Sequence, residues 1–314
     1  MTALYHMTYL QAIVIGLIQG LTELFPISSL GHTVLVPAWL GGTWGILVRQ
    51  ESRPESPYLA FVVGLHLATA VVLVAYYWRT WVRILRGLVT SIASRRIDND
   101  DQRLAWLLVI ATIPVGIAGL ALEHTFRVLF AKPLAAAIFL TINGGILFLG
   151  ERYRRRDGHL ATATATATAD GDAEDDDRAI DQAAEHRLAA IGPVSAGWIG
   201  AAQILALLAG ISREGVTMVG GLLRGLNHED AMRFSFLLST PVILAAGALK
   251  VPDLTGSLGN GIRGQVIAGS IAAAATSLFA VVFLARYFRT RTLTPFAIYC
   301  AAAGVISIMR FGIW

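Results

Sequence analysis

The chain contains little cysteine and few charged side chains. Cys300 is its only cysteine, so an intramolecular disulfide is excluded, and no CxxC pair or Cys/His cluster suggests a zinc site. Charged residues make up 15% of the sequence and hydrophobic residues 55%, with a mean hydropathy of +0.62. Such a composition is too apolar for a soluble domain and predicts an integral membrane protein.

The formal charge of +4 hides an uneven distribution. The stretch from Ala161 to Glu185 carries eight of the 21 acidic residues but only one basic residue, Arg178, so the remainder has a net charge of 24 minus 13, or +11. No nucleic-acid-binding motif accompanies this basic balance, and nucleic acid is not expected as a partner. Anionic lipid head groups explain the excess of positive charge.

One segment has the composition of a linker. Residues 151–190 run from a basic cluster through an alternation of Ala and Thr into an Asp-rich run, without the periodicity of a core-forming element. We predict a disordered linker on the cytoplasmic side. It separates a first membrane repeat, residues 1–150, from a second, residues 191–314.

Six stretches are long and apolar enough to cross the bilayer. They are 59–78, 104–122, 134–150, 234–249, 265–285 and 295–313. Two further apolar stretches, 9–40 and 191–226, are interrupted near their middles by Pro, Gly, Ser and charged residues. Such interruptions are tolerated at membrane depth only where protein or a water-filled cavity satisfies the backbone, so these stretches are predicted to be re-entrant helical hairpins.

Basic residues between the predicted spans indicate the orientation. The stretches 79–103, 152–187, 224–233 and 286–291 hold 17 of them, whereas the opposite side holds seven. The first set should therefore face the cytoplasm, with both chain termini outside.

An internal repeat relates the two interrupted stretches. A shift of 184 positions places QGLTELFPISSLGHT, from Gln19 to Thr33, over QILALLAGISREGVT, from Gln203 to Thr217, with seven identities in 15 positions. Upstream, Gly16 recurs as Gly200. Each half then contains one hairpin and three spans, and an odd number of crossings inverts the second half relative to the first. The predicted fold is all-α with an inverted-topology repeat, in which the two hairpins meet near the bilayer midplane.

The two motifs bring ionisable and hydroxyl side chains to membrane depth, where such groups are costly and indicate function. Glu23, Ser29 and His32 lie in the first motif, and Arg213 and Glu214 in the second. An arginine can bind phosphate oxygens, a hydroxyl can attack phosphorus, a histidine can accept the proton, and a carboxylate can hold a divalent cation. The combination points to phosphoryl transfer from a lipid.

These motifs resemble those of the undecaprenyl diphosphate phosphatases of the bacitracin-resistance type. The first signature of that family is matched by Gln19, Glu23, Pro26, Ser28, Ser29, Gly31 and His32, and the second by Gly210, Ser212, Arg213 and Thr217. FSFLL near Phe234 and PFAIY near Pro295 also fit, so the resemblance covers nearly the whole chain outside the linker. It departs at Ala209, where the family usually has Pro, at Glu214, which replaces a serine, and at Gln19, which is often Glu.

The resemblance implies a multi-pass plasma membrane enzyme that hydrolyses a polyprenyl diphosphate to the monophosphate and inorganic phosphate, with its pocket open to the extracytoplasmic side. It would recycle the lipid carrier for cell envelope synthesis. The implied catalytic residues are Ser29, His32, Glu23 and Arg213; the implied substrate contacts are Gln19, Ser28, Ser212, Glu214, Thr217, Gly210 and Gly215. A divalent cation, Mg or Ca, is expected near Glu23, and Glu214 is expected to restore the negative charge missing at Gln19.

Several alternatives stay open at this stage. Ser29, activated by His32, or a water molecule could attack the terminal phosphorus. Ser28 and Ser29 could simply cap the helix after the break. His66, on an otherwise apolar segment, is expected to pack or to hydrogen-bond, and Gln203 to support the second hairpin. A transporter or flippase of a lipid-linked phosphate is the rival function, because inverted repeats are typical of transporters. Tail length and homodimer formation are also left open.

Overall fold

The computed structural model describes residues 7–51, 57–130, 132–157, 183–256 and 260–313. Within these ranges the fold is all-helical and contains no β-strand. The helices are α1 (Tyr9–Leu24), α2 (Ser29–Leu40), α3 (Gly42–Glu51), α4 (Pro57–Tyr76), α5 (Trp78–Ser94), α6 (Asp100–Phe130), α7 (Pro133–Asp157), α8 (Ala183–Ala189), α9 (Pro193–Ala202), α10 (Arg213–Leu222), α11 (His228–Thr255), α12 (Arg263–Tyr287) and α13 (Thr294–Ile313). A short 3-10 helix, Gln203–Leu207, follows α9.

Five of these helices are long and apolar enough to cross a membrane, and the number rises to seven if each of two bent helix pairs counts as one span. The five lie in α6, α7, α11, α12 and α13. The bent pairs are α4 with α5, at 86°, and α8 with α9 and the 3-10 helix, at 93°. Five of the six stretches predicted to span the membrane lie within single helices, whereas 59–78 covers most of α4 and passes the bend into α5. The described part of the chain has the architecture of a multi-pass membrane protein.

Two segments differ from the prediction. The stretch from Arg79 to Arg103, expected to be a loop, is mostly the helix α5. Arg79, Arg83 and Arg86 recur at the spacing of one helix face, while the apolar Leu85 and Val89 are exposed on the same helix. The charges in this segment mark an amphipathic helix that bends away from α4.

The predicted linker is the second difference. Its central part, residues 158–182, lies outside the described residues, and both of its flanks are helical: α7 continues to Asp157, and α8 begins at Ala183. Buried Glu185 on α8 accepts a hydrogen bond from Thr80 Oγ1 at 2.7 Å and pairs with Arg83. These contacts fix α8 against α5, which composition alone could not indicate.

Both predicted hairpins contain a break between helices. α1 ends at Leu24 and α2 begins at Ser29, where Ser28 Oγ accepts from the Gly31 N–H at 3.2 Å. In the second hairpin Ser212 Oγ accepts from the Gly215 N–H at 3.1 Å and caps α10. Ser28 and Ser212 therefore have the same local role: each caps a helix by accepting a hydrogen bond from a free N–H group in its first turn.

The two breaks meet. The Gly210 N–H donates to Ser28 Oγ at 3.2 Å, so the turn of the second hairpin touches the turn of the first across 182 positions of sequence. Asn143 on α7 joins them as well, because its Nδ2 donates to the Pro26 carbonyl at 3.0 Å and its Oδ1 accepts from the Ser212 N–H at 3.0 Å. Gly210 has φ +111° and faces the Ala136 carbonyl, so only glycine suits that position.

Repeat-related glycines bring helices into close contact. α1 packs against α12 where a Cβ on Gly16 would lie 2.2 Å from the Gly269 carbonyl oxygen. α9 packs against α6 where a Cβ on Gly200 would lie 2.1 Å from the Ala111 carbonyl oxygen. Small residues at such contacts let helix backbones approach each other, which is a main source of association between helices in lipid.

Alanine at Gly16 or Gly200 is expected to destabilise the protein by about 1–3 kcal/mol, because the added methyl group has no room unless the helices separate. Thermal unfolding in detergent, followed by loss of the monodisperse peak, measures the effect. Gly145→Ala on α7 is the matched control, since a Cβ there meets nothing within 4 Å. Equal midpoints for all three variants would contradict the packing argument.

Candidate active site

Glu23 lies at the centre of the polar cluster formed by the two breaks. It is 3% exposed near the end of α1. Gln19, one turn earlier on the same face of α1, donates from Nε2 to Glu23 Oε2 at 2.9 Å. Ser29, the first residue of α2, donates its hydroxyl to the same carboxylate oxygen. The break between α1 and α2 thus places a hydroxyl directly on a buried carboxylate.

The second hairpin supplies a cation to this carboxylate. Arg213, the first residue of α10, donates from Nη2 to Glu23 Oε1 at 2.5 Å, and its Nε lies 3.5 Å from Glu214 Oε1. Glu214 is buried and also accepts from Ser239 Oγ at 2.8 Å. The guanidinium group therefore lies between two carboxylates, one of them contributed by a residue 190 positions away.

His66 joins the cluster from α4. Its Nδ1 lies 2.9 Å from the Val62 carbonyl oxygen, and its Nε2 lies 3.2 Å from Glu23 Oε2. The sequence favoured a packing role for this residue. An ionisable side chain inside an otherwise apolar segment favours a functional role over packing, because such residues at membrane depth usually face a functional cavity.

His32 has different partners. Its Nδ1 donates to the Ser28 carbonyl oxygen at 2.7 Å, and its Nε2 lies 2.8 Å from the Tyr299 hydroxyl, with the two rings stacked. The hydroxyl of Ser29 is instead bonded to Glu23. Activation of Ser29 by His32 stays a prediction, and Tyr299 is a partner that the sequence analysis did not identify.

A cavity of about 150 Å³ opens beside this cluster. Its polar lining includes both acidic residues, Arg213 and His66, and its full lining consists of Glu23, Ser28, Ser29, Leu30, His66, Val115, Gln203, Ala206, Leu207, Ile211, Arg213, Glu214 and Val242. Gln203 is buried, and its Oε1 has no hydrogen-bond partner within the described structure, while its Nε2 donates to the Ala111 carbonyl at 3.4 Å. A buried acceptor without a donor suggests that a ligand or an ion completes it.

The remaining predicted residues shape the second hairpin and do not line the cavity. Ser212 and Gly215 form the cap of α10, and Gly210 makes the turn that touches Ser28. Thr217 donates its hydroxyl to the Arg213 carbonyl at 2.7 Å. These contacts hold the helix start from which Arg213 and Glu214 project.

The donor atoms at the cavity suit a hard cation. Within the described ranges no group of three or more His, Cys, Asp and Glu side chains could hold a metal ion. Glu23, Glu214 and the unpaired Oε1 of Gln203 nevertheless offer oxygen atoms at one cavity. Mg²⁺ and Ca²⁺ prefer oxygen donors, and Mg²⁺ commonly takes only one or two carboxylates together with water and substrate phosphates.

This arrangement can perform chemistry on a phosphate. A guanidinium group can exchange a carboxylate for phosphate oxygens, a hydroxyl bonded to a carboxylate can lose its proton as it attacks phosphorus, and burial strengthens both interactions. The cluster was predicted from the two motifs. The structure brings Gln19, Glu23, Ser29, Arg213 and Glu214 together within it.

Comparison with known proteins agrees with this interpretation of the site. The family model described as bacitracin resistance protein BacA matches residues 12–306. The chain is 54% identical to the undecaprenyl-diphosphatase 2 of Frankia alni, over 99% of this chain and 100% of the relative. It is 57% identical to the undecaprenyl-diphosphatase of Mycolicibacterium paratuberculosis and 56% identical to that of Mycobacterium avium, over 97% of each chain. The chain belongs to the bacitracin resistance protein BacA family.

Proposed function

We propose that this protein hydrolyses undecaprenyl diphosphate to undecaprenyl monophosphate and inorganic phosphate, and so recycles the lipid carrier of cell envelope synthesis. The names of the close relatives support the reaction, and their similarity extends over nearly the whole chain. The observation that carries the proposal is the meeting of Ser29, Glu23 and Arg213, which combines a hydroxyl, a base and an anion-binding group at one cavity.

The geometry supports the following course of reaction. The N–H groups of Arg213 exchange their hydrogen bonds to Glu23 for hydrogen bonds to the diphosphate oxygens. The Ser29 oxygen attacks the terminal phosphorus while its proton passes to Glu23, and the bond from that phosphorus to the bridging oxygen breaks. Undecaprenyl monophosphate leaves with the electron pair of that bond. Water then hydrolyses the phosphoserine and releases inorganic phosphate.

Direct attack by water is the second route. Glu23 would take the proton from a water molecule in place of the hydroxyl, and Ser29 would only orient the carboxylate. The hydrogen bond between Ser29 and Glu23 suits both routes, since it places Glu23 beside the attacking position in either case. Trapping of a phosphorylated protein after brief reaction with labelled substrate would distinguish them.

We further propose that a divalent cation, Mg or Ca, is held by Glu23 and Glu214, with Gln203 Oε1 as a neutral oxygen donor. When bound, it would neutralise charge on the diphosphate, which otherwise enters a cavity that contains two carboxylates. This proposal also explains why Glu214 replaces the serine usual in the family: its carboxylate supplies the negative charge that Gln19 lacks.

The inverted repeat is also part of the proposal, with the two re-entrant hairpins inserted from opposite faces. It is supported by the touching turns, by the equivalent serine caps and by the close contacts of Gly16 and Gly200 with corresponding helices, α12 and α6. The distribution of basic residues indicates the orientation of the spans, and the family resemblance implies that the pocket opens to the extracytoplasmic side. Homodimer formation and the absence of nucleic acid binding stay predictions.

The deciding experiment measures phosphate release from undecaprenyl diphosphate by purified protein in detergent, with and without a chelator. Release by the wild type that is lost on chelation supports both the reaction and the cation. Intact lipid after incubation, together with movement of labelled lipid across vesicles, would favour the transporter alternative instead.

Glu214→Ser is expected to raise the cation concentration for half-maximal activity by at least about tenfold, because loss of an oxygen donor weakens an ion site by that order or more. Titration of chelated enzyme with Mg or Ca measures the change. Glu229→Ser, at a partly exposed ion pair with Arg289, is the control. An unchanged cation requirement in Glu214→Ser would rule out its role in holding the ion.

A further inference from the structure

The carboxylate of Glu23 has four polar partners, and not all of these contacts can persist when the substrate binds. Arg213 donates to Oε1, whereas Gln19, Ser29 and His66 face Oε2. A diphosphate that enters the cavity must draw N–H groups of Arg213 away from Glu23, because this guanidinium is the strongest anion-binding group of the cavity lining. Removing one partner from a buried ion pair is costly unless other groups hold the remaining carboxylate.

His66 is placed to take over at this moment. Its Nδ1 bonds to the Val62 carbonyl one turn earlier on α4, which fixes the ring and directs Nε2 at Glu23 Oε2. The guanidinium of Arg213 and the imidazole of His66 thus approach opposite oxygens of the same carboxylate, Arg213 from α10 and His66 from α4. Gln19 and Ser29 are the other two partners.

We propose that His66 is a positioning residue: it holds the Glu23 carboxylate in place while Arg213 changes its partner from Glu23 to the diphosphate. The inference rests on the proposed function and deepens it. With His66 in place, Glu23 stays beside Ser29 after Arg213 has left. Without His66, Glu23 loses the imidazole that faces Oε2 and depends more on Arg213, so the substrate has to compete with Glu23 for the guanidinium group.

The expected consequence is a change in substrate affinity. His66→Leu should lower kcat/KM by about ten- to a hundredfold, the usual effect of losing a hydrogen bond to a charged group, and most of the change should appear as a higher KM. His66→Gln keeps an N–H donor of similar reach and should remain at least about tenfold above His66→Leu. His66→Asn is one methylene shorter, so it should behave like the leucine variant.

The test measures kcat and KM for phosphate release from farnesyl diphosphate, a short-chain prenyl diphosphate, with all four proteins in detergent. His186→Leu and His186→Gln are matched controls, because His186 also pairs with a carboxylate, Asp100 at 2.5 Å, but is exposed on α8. Thermal midpoints confirm that each variant is folded. If His66→Leu fails to fold, the comparison of Gln with Asn decides.

Several outcomes would overturn the inference. Equal kcat/KM in the wild type and His66→Leu would overturn it while leaving the proposed function intact, and so would a folded His66→Gln that is as impaired as His66→Asn. A fall in kcat at constant KM would also contradict it, since exchange of Arg213 acts on substrate affinity. Absence of phosphate release by the wild type would overturn the proposed function and this inference with it.

Discussion

Glu23→Gln is expected to lower kcat for phosphate release by about a hundred- to ten-thousandfold, the range for loss of a general base. The carboxylate accepts from Ser29 and from Arg213, and an amide of the same shape can offer only one acceptor oxygen to them. The variant therefore keeps the volume of the side chain but loses both its charge and its basicity. Single-turnover measurements with enzyme in excess over substrate give the rate constant of the chemical step, free of product release.

The control for this prediction is Glu229→Gln, which makes the same change at the partly exposed pair of Glu229 with Arg289. It should leave kcat unchanged. If Glu23→Gln kept more than about a tenth of the wild-type kcat, general-base catalysis by Glu23 would be excluded. His32 would then become the better candidate for the base, as the sequence analysis expected, and its bond to the Tyr299 hydroxyl would have to break during the reaction.

The sequence was a good guide to the two breaks between helices because its signals there are local. Pro26 interrupts an apolar run, and the serines that follow each break stand where free N–H groups need a cap. The repeat then required the two turns to meet, and the contact of Gly210 with Ser28 confirms that they do. The two motifs were expected to face one another, and in the structure Arg213 of the second motif donates to Glu23 of the first.

Partners that come from other helices were harder to predict. His66, Ser239 and Tyr299 reach the motifs from α4, α11 and α13. No local pattern predicts the direction in which a single polar side chain on an apolar helix will point. The assignment of His32 to Ser29 rested on closeness in sequence. In the structure the three-residue separation places them on α2 with different partners, so closeness along a helix did not guarantee a hydrogen bond.

The helices α5 and α8 were missed for another reason. In the region of α5 and α8 the sequence was judged by charge and composition, which cannot detect long-range ion pairs. Arg187 donates to Asp230 through Nε at 2.6 Å and through Nη2 at 2.8 Å, and Glu185 is buried against α5. Paired in this way, charged residues order a segment whose composition resembles a linker.

Arg213→Ala is expected to lower kcat/KM for undecaprenyl diphosphate by about a hundred- to a thousandfold, the usual effect of losing a preorganised donor to a developing anion. Arg213 is the only arginine among the described residues that line the cavity, and its guanidinium also separates two buried carboxylates, Glu23 and Glu214. Arg213→Lys should fall between the wild type and the alanine variant, because an ammonium group keeps the charge but not the planar fork that fits a phosphate. Initial rates of phosphate release at low substrate concentration measure all three.

Stability has to be separated from function in this experiment, because removal of Arg213 leaves Glu23 and Glu214 without their shared cation, and breaking a buried pair commonly costs about 3–5 kcal/mol. Arg213→Lys provides that separation, since it keeps a positive charge between the carboxylates. Arg289→Ala removes a partly exposed arginine from its pair with Glu229 and should change neither rate nor stability. A folded Arg213→Lys with wild-type kcat/KM would mean that charge alone is needed at this position, whereas a folded Arg213→Ala within tenfold of the wild type would exclude Arg213 from phosphate binding.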